Sequence, residues 1–327
     1  MMATVHILLI TLLAIGLAWR IVRHRGRLPL PPGPSGYPLL GNLTDIPKEF
    51  AWLRFRQWSK DFDSDVILLK KWGSSIIILN SWDAANDLLT KQSPDYSDRP
   101  RFAMLNELIG FEWAFAFMAY NDDWKARRAL FEHDFGSADK TWYQRQLSTS
   151  VTRLLLSLLE TPSNFMDHTR HMPGALMLSI AYGIDIQAKD DAYIQVAEEA
   201  MHSMSLAGIW GTFLVDHMPF LKYLPSWFPG AGFRTVGTEC FYYVQKMFHD
   251  PYAAAKRKIA AGDAKMSFTS QALEQMDQTV DVPGQERLIQ ETAGNLYAAG
   301  ADTTVAALDT FFLAFCTPKF KIRHDKN

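Results

Sequence analysis

An acid followed by two hydroxyls, Asp302-Thr303-Thr304, stands directly behind Ala299-Gly300-Ala301 in an otherwise apolar run. A carboxylate and a hydroxyl side by side can hand protons in order to a reacting group. In a helix Thr303 lies one turn after Ala299, so its hydroxyl can bond that residue's carbonyl, compete with the regular ladder and open a local distortion where water or dioxygen can lodge. Gly300 removes the side chain that would fill such a gap, and Asp302 beside it can relay protons toward the groove. The other reading is a boundary, with Gly300 ending one helix and Asp302 or Thr303 capping another that starts at Val305.

A second constellation is Trp124-Lys125-Ala126-Arg127-Arg128. Trp124 and Arg128 share a helical face, so an indole N–H and a guanidinium can converge on one anion, a carboxylate or a phosphate. Taken alone, such a pair is more commonly a packed tryptophan and a surface arginine. The two cysteines, Cys240 and Cys316, have no CxxC or Cys/His spacing. They read as buried thiols in a reducing compartment rather than as a zinc site.

These side chains need helices to hold them. Apolar periodicity predicts a helix over 286–314 under the acid-hydroxyl pair and another over 123–135, basic on one side, under the Trp/Arg pair. Further helices are expected over 144–160, 174–182, 193–209 and 235–261, with one starting at 84–89, while the composition of 93–100 predicts a loop. Two β-branched runs, 65–70 and 75–79, flank a glycine turn and predict a hairpin. The fold class is mainly α with a small β-sheet, in one domain. With 48% hydrophobic and 21% charged residues in 327, the chain can bury a sizeable core. A net charge of -2 offers no basic field for nucleic acid, which is excluded as a partner.

The N-terminal stretch belongs to another solvent. Residues 3–22 carry only His6 and Arg20 as ionisable groups, long enough in a helix to span a hydrocarbon core. Arg20, Arg23, Arg25 and Arg27 follow, and no Lys or Arg precedes the run, which predicts an uncleaved single-pass anchor with the body on the cytosolic side. Residues 28–34 then read as a stiff proline-rich spacer. On this topology the sequon at Asn42 never meets the glycosylation machinery. The aromatic, proline-rich stretch 220–233 either dips into the bilayer or packs as an interhelical loop.

Anchor, basic cluster, the PPGP and Gly41-Asn42 segment, the Trp124/Arg128 pair behind Asp98-Arg99-Pro100, and the Ala299 to Thr304 run follow one another in an order that resembles the fungal microsomal cytochromes P-450. Segments 52–58, 182–185 and 220–230 look most similar to basidiomycete members. The resemblance covers residues 1 to 315, about the N-terminal three fifths of such a protein. It implies an incomplete cytochrome P-450 fold behind a transmembrane anchor, with 1–27 as anchor and basic flank, 28–47 as hinge, 48–315 as the N-terminal portion of the domain and 316–327 as a divergent tail. It implies oxygen activation by Asp302 and Thr303, a haem propionate held by Trp124 and Arg128, and a haem and oxygen groove at Ala299 and Gly300. It further implies haem b as cofactor, an NADPH-cytochrome reductase and membrane lipid as partners, the endoplasmic reticulum as location, and a small hydrophobic secondary metabolite, aromatic or terpenoid, as substrate of a monooxygenase. The chain departs from that pattern where it lacks the ExxR helix and the glycine-rich loop whose cysteine is the axial haem ligand. Phe315-Cys316-Thr317-Pro318 has no glycine-rich surround, so no metal ligand is assigned to Cys316. The expectation is a truncated form that does not hold haem stably and is inactive by itself; the alternative is a non-catalytic, membrane-anchored relic or partner protein.

Overall fold

A computed structural model of the chain describes residues 29–316, except 39, 48, 72–73, 137–140, 188–190 and 210. The expected anchor at 1–27 and, of the expected tail at 316–327, all but Cys316 lie outside the described residues. The chain divides into two compact units, one ending at Ser97 and the other starting at Asp98.

The first unit is built on the expected hairpin. Strands β1 (Val66–Lys71) and β2 (Ser74–Leu79) pair antiparallel, with Val66 opposite Leu79 and Lys71 opposite Ser74. Their inward residues Ile67 and Leu69 pack with Trp58 of helix α1 (Ala51–Asp61), as the two-residue period of a half-covered sheet requires. The proline-rich segment is more than a spacer, because the Leu68 N–H donates to the Pro32 carbonyl at 2.9 Å and ties it to β1. A Cβ on Gly33 would fall 2.0 Å from the Leu68 carbonyl oxygen, so only glycine permits that approach. Asn42 is 1% exposed; it donates to the Pro34 carbonyl at 3.1 Å and to Asp45 at 2.9 Å, and accepts from the Lys70 N–H at 2.9 Å. The sequon asparagine is thereby locked into the folded unit. Beyond β2, α2 (Trp82–Ala85) is capped by the Ser81 hydroxyl and continues as π-helix over Asn86–Lys91. The expected loop at 93–100 starts instead as a helical turn, α3 (Ser93–Tyr96), since Pro94 is tolerated in a first turn.

The second unit is helical: α4 (Asp122–Phe135), α5 (Thr141–Glu160), α6 (Phe165–Tyr182), α7 (Ala192–Ala207), the short α8 (Leu214–His217), α9 (Gly232–Ala260), α10 (Phe268–Glu274) and α11 (Val282–Cys316). Helix α6 begins well before the expected 174 because Pro173 sits inside it, buried; tertiary packing offsets the lost backbone bond. Pro251 is carried inside α9 in the same way. Tyr297, Phe111, Phe268, Leu178, Met247 and Val244 are among the largest fully buried side chains of the core. Helix α11 runs along α6 and also meets α4, α9 and α10. It is unbroken from Val282 to Cys316, longer than the expected 286–314, so the helix boundary at Gly300 is overturned, and it stays α-helical through Thr303 where a distortion was expected.

Candidate functional site

Helix α4 starts where Asn121 accepts the Trp124 N–H at 3.0 Å, with Asp122 and Asp123 in the first turn to complement the helix dipole. The loop before it is pinned at several points. The Asp98 carboxylate accepts the backbone N–H groups of Tyr120 and Arg99, both of which favour its ionised form and hold its pKa below the usual range. Arg99 Nε donates to the Ala116 carbonyl at 3.0 Å, and Asn106 to the Phe117 carbonyl at 3.0 Å.

Trp124 and Arg128 stand on this framework but do not converge on a shared partner among the described residues. The Trp124 indole N–H donates to the Phe115 carbonyl at 2.9 Å. Arg128 is exposed, bonds Glu132 one turn later at 2.7 Å and lies over the Phe131 ring. The buried arginine is its neighbour. Arg127 Nε donates to Glu291 Oε2 of α11 at 2.6 Å, its terminal nitrogen bonds the same oxygen, and Nη1 reaches the Asp123 carbonyl at 2.6 Å. Arg287 Nε holds the other oxygen, Oε1, at 2.7 Å. Thus one buried carboxylate is shared by two guanidinium groups and locks α4 to α11.

One turn on, Asn295 accepts the Phe115 N–H at 2.9 Å and donates to the Trp113 and Glu291 carbonyls, both at 2.8 Å. Phe115 is therefore held twice, by Asn295 at its nitrogen and by Trp124 at its oxygen. Sequence reasoning missed Arg127, Glu291 and Asn295. The signal lay in the charge pairs Asp123/Arg127 and Arg287/Glu291, one turn apart, and in a glutamate within an apolar run, which a core helix tolerates only when partnered.

Past Ala298 the surroundings of α11 change. Ala299, Asp302, Thr303, Ala306, Ala307 and Thr310 are exposed. The Thr303 hydroxyl donates to the Ala299 carbonyl at 2.7 Å, as its spacing predicts. Gly300 serves close packing rather than a gap, since a Cβ there would lie 2.3 Å from Met177 Sδ of α6. Asp302 lines a cleft of about 190 Å³ between α6, α7 and α11, with Arg170, Glu198, His202 and Ser205 on its polar side and Ile194 and Met201 on its apolar side. Arg170 and Glu198 stand 3.6 Å apart in it. Adjacent in sequence, Asp302 and Thr303 address different surroundings, the one a solvent-connected cleft and the other an open helix face.

Among the described residues no group of three or more His, Cys, Asp or Glu side chains could hold a metal ion. Cys240 is buried in α9 and Cys316 is exposed at the end of α11, roughly 20 Å along the axis from Thr303. Among the described residues α11 alone is long and apolar enough to cross a membrane, at a mean hydropathy of 1.2, by length and composition. Core helices share that property, and Glu291, Thr292 and Asn295 are buried in its first half.

The family model described as Cytochrome P450 matches residues 31–318. The chain is 42% identical over 298 residues to a cytochrome P450 monooxygenase of Armillaria gallica, covering 90% of this chain and 58% of that protein. It is 41% identical over 292 residues to cytochrome P450 monooxygenase 98 of Postia placenta, covering 89% and 56%, and 38% identical over 311 residues to the tryptamine 4-monooxygenase of Psilocybe cyanescens, covering 94% and 61%. The chain thus spans less than two thirds of the length of these curated relatives. With a mainly helical fold, a two-stranded sheet and a family match running through nearly all the described residues, the chain belongs to the cytochrome P450 family.

Proposed function

We propose that the chain carries the oxygen-side wall of a haem-thiolate monooxygenase that hydroxylates a small hydrophobic secondary metabolite, aromatic or terpenoid. The observation that carries this reading is the continuity of α11, which sets Ala299 and Thr303 one turn apart on an exposed face, with Gly300 beside them against α6, while Asp302 lines a cleft. Small side chains beside a hydroxyl suit the wall of a pocket for a flat macrocycle. Haem, when bound through a thiolate, supplies the redox chemistry. On this wall Thr303 would hold a water or proton in place and Asp302 would exchange protons with the cleft. Trp124 and Arg128 would hold a propionate, Arg128 by turning from exposed Glu132 and the Phe131 ring and Trp124 by exchanging the Phe115 carbonyl for it.

The described residues fit one wall of that site and not its iron ligand. Neither Cys240, in the core of α9, nor Cys316, far along α11, stands opposite Thr303. The described residues by themselves would therefore hold haem weakly. Electrons would come from an NADPH-cytochrome reductase. Residues 3–22 would anchor the chain in the endoplasmic reticulum with the body toward the cytosol. The exposed aromatic side chains of Phe220, Tyr223 and Trp227 would meet the lipid surface.

The test joins residues 1–315 to the C-terminal portion of the Armillaria gallica relative. The chimera should bind haem and consume NADPH with a reductase, and Thr303→Ala should keep that consumption while hydrogen peroxide replaces hydroxylated product. Unchanged coupling in Thr303→Ala would remove the role given to this residue. Residues 1–327 alone should lack the red-shifted carbon-monoxide band of a thiolate-bound haem; its appearance would show that Cys240 or Cys316 can ligate the iron.

A further inference from the structure

Helix α7 turns one side to a space that no other described residue fills. Along that side Ile194, Ala197 and Met201 stand three or four residues apart, and so do Glu198, His202 and Ser205, so an apolar stripe and a polar stripe run next to each other. Helix α6 is the floor. Gly174 lets it approach α7, since a Cβ there would fall 2.3 Å from Ile194 Cδ1, and Gly300 lets α11 approach it at Met177. What these two approaches leave between α7 and α11 is the cleft of about 190 Å³, walled by helices rather than by loops.

The charges in this cleft do not cancel. Arg170 stands 3.6 Å from Glu198 and offsets that carboxylate, whereas Asp302, on the α11 wall, has no side-chain partner among the described residues. With His202 neutral, negative charge is therefore in excess, and a cation is the matching ligand. A metal ion does not suit the site, because among the described residues no three His, Cys, Asp or Glu side chains are grouped to hold one. The apolar stripe calls instead for a cation with an organic body. Size narrows the class further: a cavity of about 150 Å³ takes benzene, so this cleft admits a single ring with a short arm. The Ser205 hydroxyl donates to the Met201 carbonyl at 3.2 Å and keeps a lone pair to accept a proton from such a ligand.

We propose that the cleft between α6, α7 and α11 is a binding site for a small primary ammonium compound with a single-ring hydrocarbon body. The ammonium head donates to Asp302, and the body lies against Ile194 and Met201. The site needs no haem and does not depend on the oxygen chemistry proposed above.

Fluorine NMR on the full chain in detergent tests it, with protein prepared without haem so that an amine has no iron to ligate. The probe para-fluorobenzylammonium should show a saturable shift with a Kd of about 1 mM, the range expected of a ligand of so few atoms. The alcohol of the same ring, which lacks the charge, and para-fluorobenzoate, which inverts it, should give no saturable shift. Asp302→Asn should weaken the ammonium about fivefold or more, and Met201→Ala about threefold. Asp263→Asn removes an exposed carboxylate beyond the end of α9 and should leave the affinity unchanged. Asp302 is exposed and asparagine keeps its shape, so that variant should fold as the parent does. Equal saturation by the alcohol would overturn the proposal, because charge would then not select the ligand. So would an unchanged affinity in Asp302→Asn, an equal loss in Asp263→Asn, or no saturable shift with the ammonium.

Discussion

Between Glu291 and Ala298 every residue of α11 is buried, whereas from Ala299 to Cys316 only Val305 is. The two stretches are equally helical and similarly apolar, so propensity does not separate them. Partners do. In the first stretch Glu291 has two arginines, Asn295 has three backbone groups, and the Tyr297 hydroxyl donates to the Tyr193 carbonyl at 2.9 Å. In the second, the threonine hydroxyls turn back on their own helix, Thr303 to Ala299 and Thr310 to Ala306, each at 2.7 Å. A polar group in the buried half is therefore structural and costly to remove, whereas in the open half Thr303 and Thr310 bond their own helix and Asp309 reaches α6 by accepting the Thr169 hydroxyl at 2.9 Å. The residues that build the wall and those that would act on it lie on successive turns of one helix.

The largest effect should come from Arg127→Met, which leaves Glu291 buried with only the outer Arg287 beside it. Removing one partner of a buried pair costs about 3–5 kcal/mol. Equilibrium denaturant unfolding in detergent should show a loss of this size, and Arg127→Met with Glu291→Met should recover much of it, because no uncompensated charge remains. A loss below about 1 kcal/mol would erase the contrast between the halves. Next comes Asn295→Ala, which leaves the Phe115 N–H and the Trp113 carbonyl without their side-chain partner, at about 2–3 kcal/mol. Trp124→Phe loosens the same peptide from the other side, so the two losses should not add. Strict additivity would mean that Phe115 is not the shared point.

Much of the scaffold was legible because it is local. The β-branched runs around 72–73 predicted the hairpin, and the spacing from Ala299 to Thr303 predicted a hydroxyl bond that is present. Errors arose where tertiary contacts override local signals. The helix expected over 174–182 starts at Phe165 instead and carries Pro173 buried in its middle. Gly300 looked like a break or a gap, and the reason for glycine is Met177, far away in sequence. At the site, Trp124 and Arg128 were read as a pair from their shared face, while the packing role of Arg127 was not legible because its partner Glu291 lies 164 residues on. Periodicity assigns residues to faces; it does not say which face another helix will cover.

Gly300→Ala sharpens the border between the halves. Alanine favours a helix interior by about 1 kcal/mol over glycine, while crowding a packed contact costs about 1–3 kcal/mol. The Cβ would meet Met177 Sδ at 2.3 Å and Cγ at 2.5 Å, both on a flexible side chain, so the net loss should be about 1 kcal/mol. In a Met177→Ala background the same change should become stabilising. If Gly300→Ala stays destabilising there, the glycine is needed for something other than the approach of α6.

Thr303→Ala should have the smallest effect on stability. The Thr303 side chain lies on the exposed face, its hydroxyl bonds only the Ala299 carbonyl, and that carbonyl belongs to the helical ladder. Such back-bonding slightly weakens a helix, and alanine is the better helix former, so the change should lie between zero and a gain of about 0.5 kcal/mol. That outcome, beside the losses at Arg127 and Asn295, would place Thr303 among residues that the fold does not need. It would also make any uncoupling by Thr303→Ala in the chimera a statement about chemistry, because a stability defect could not explain it. A loss above about 1 kcal/mol would instead mean that the second half of α11 is packed like the first. The contrast between the halves would then fail at the residue where it matters most.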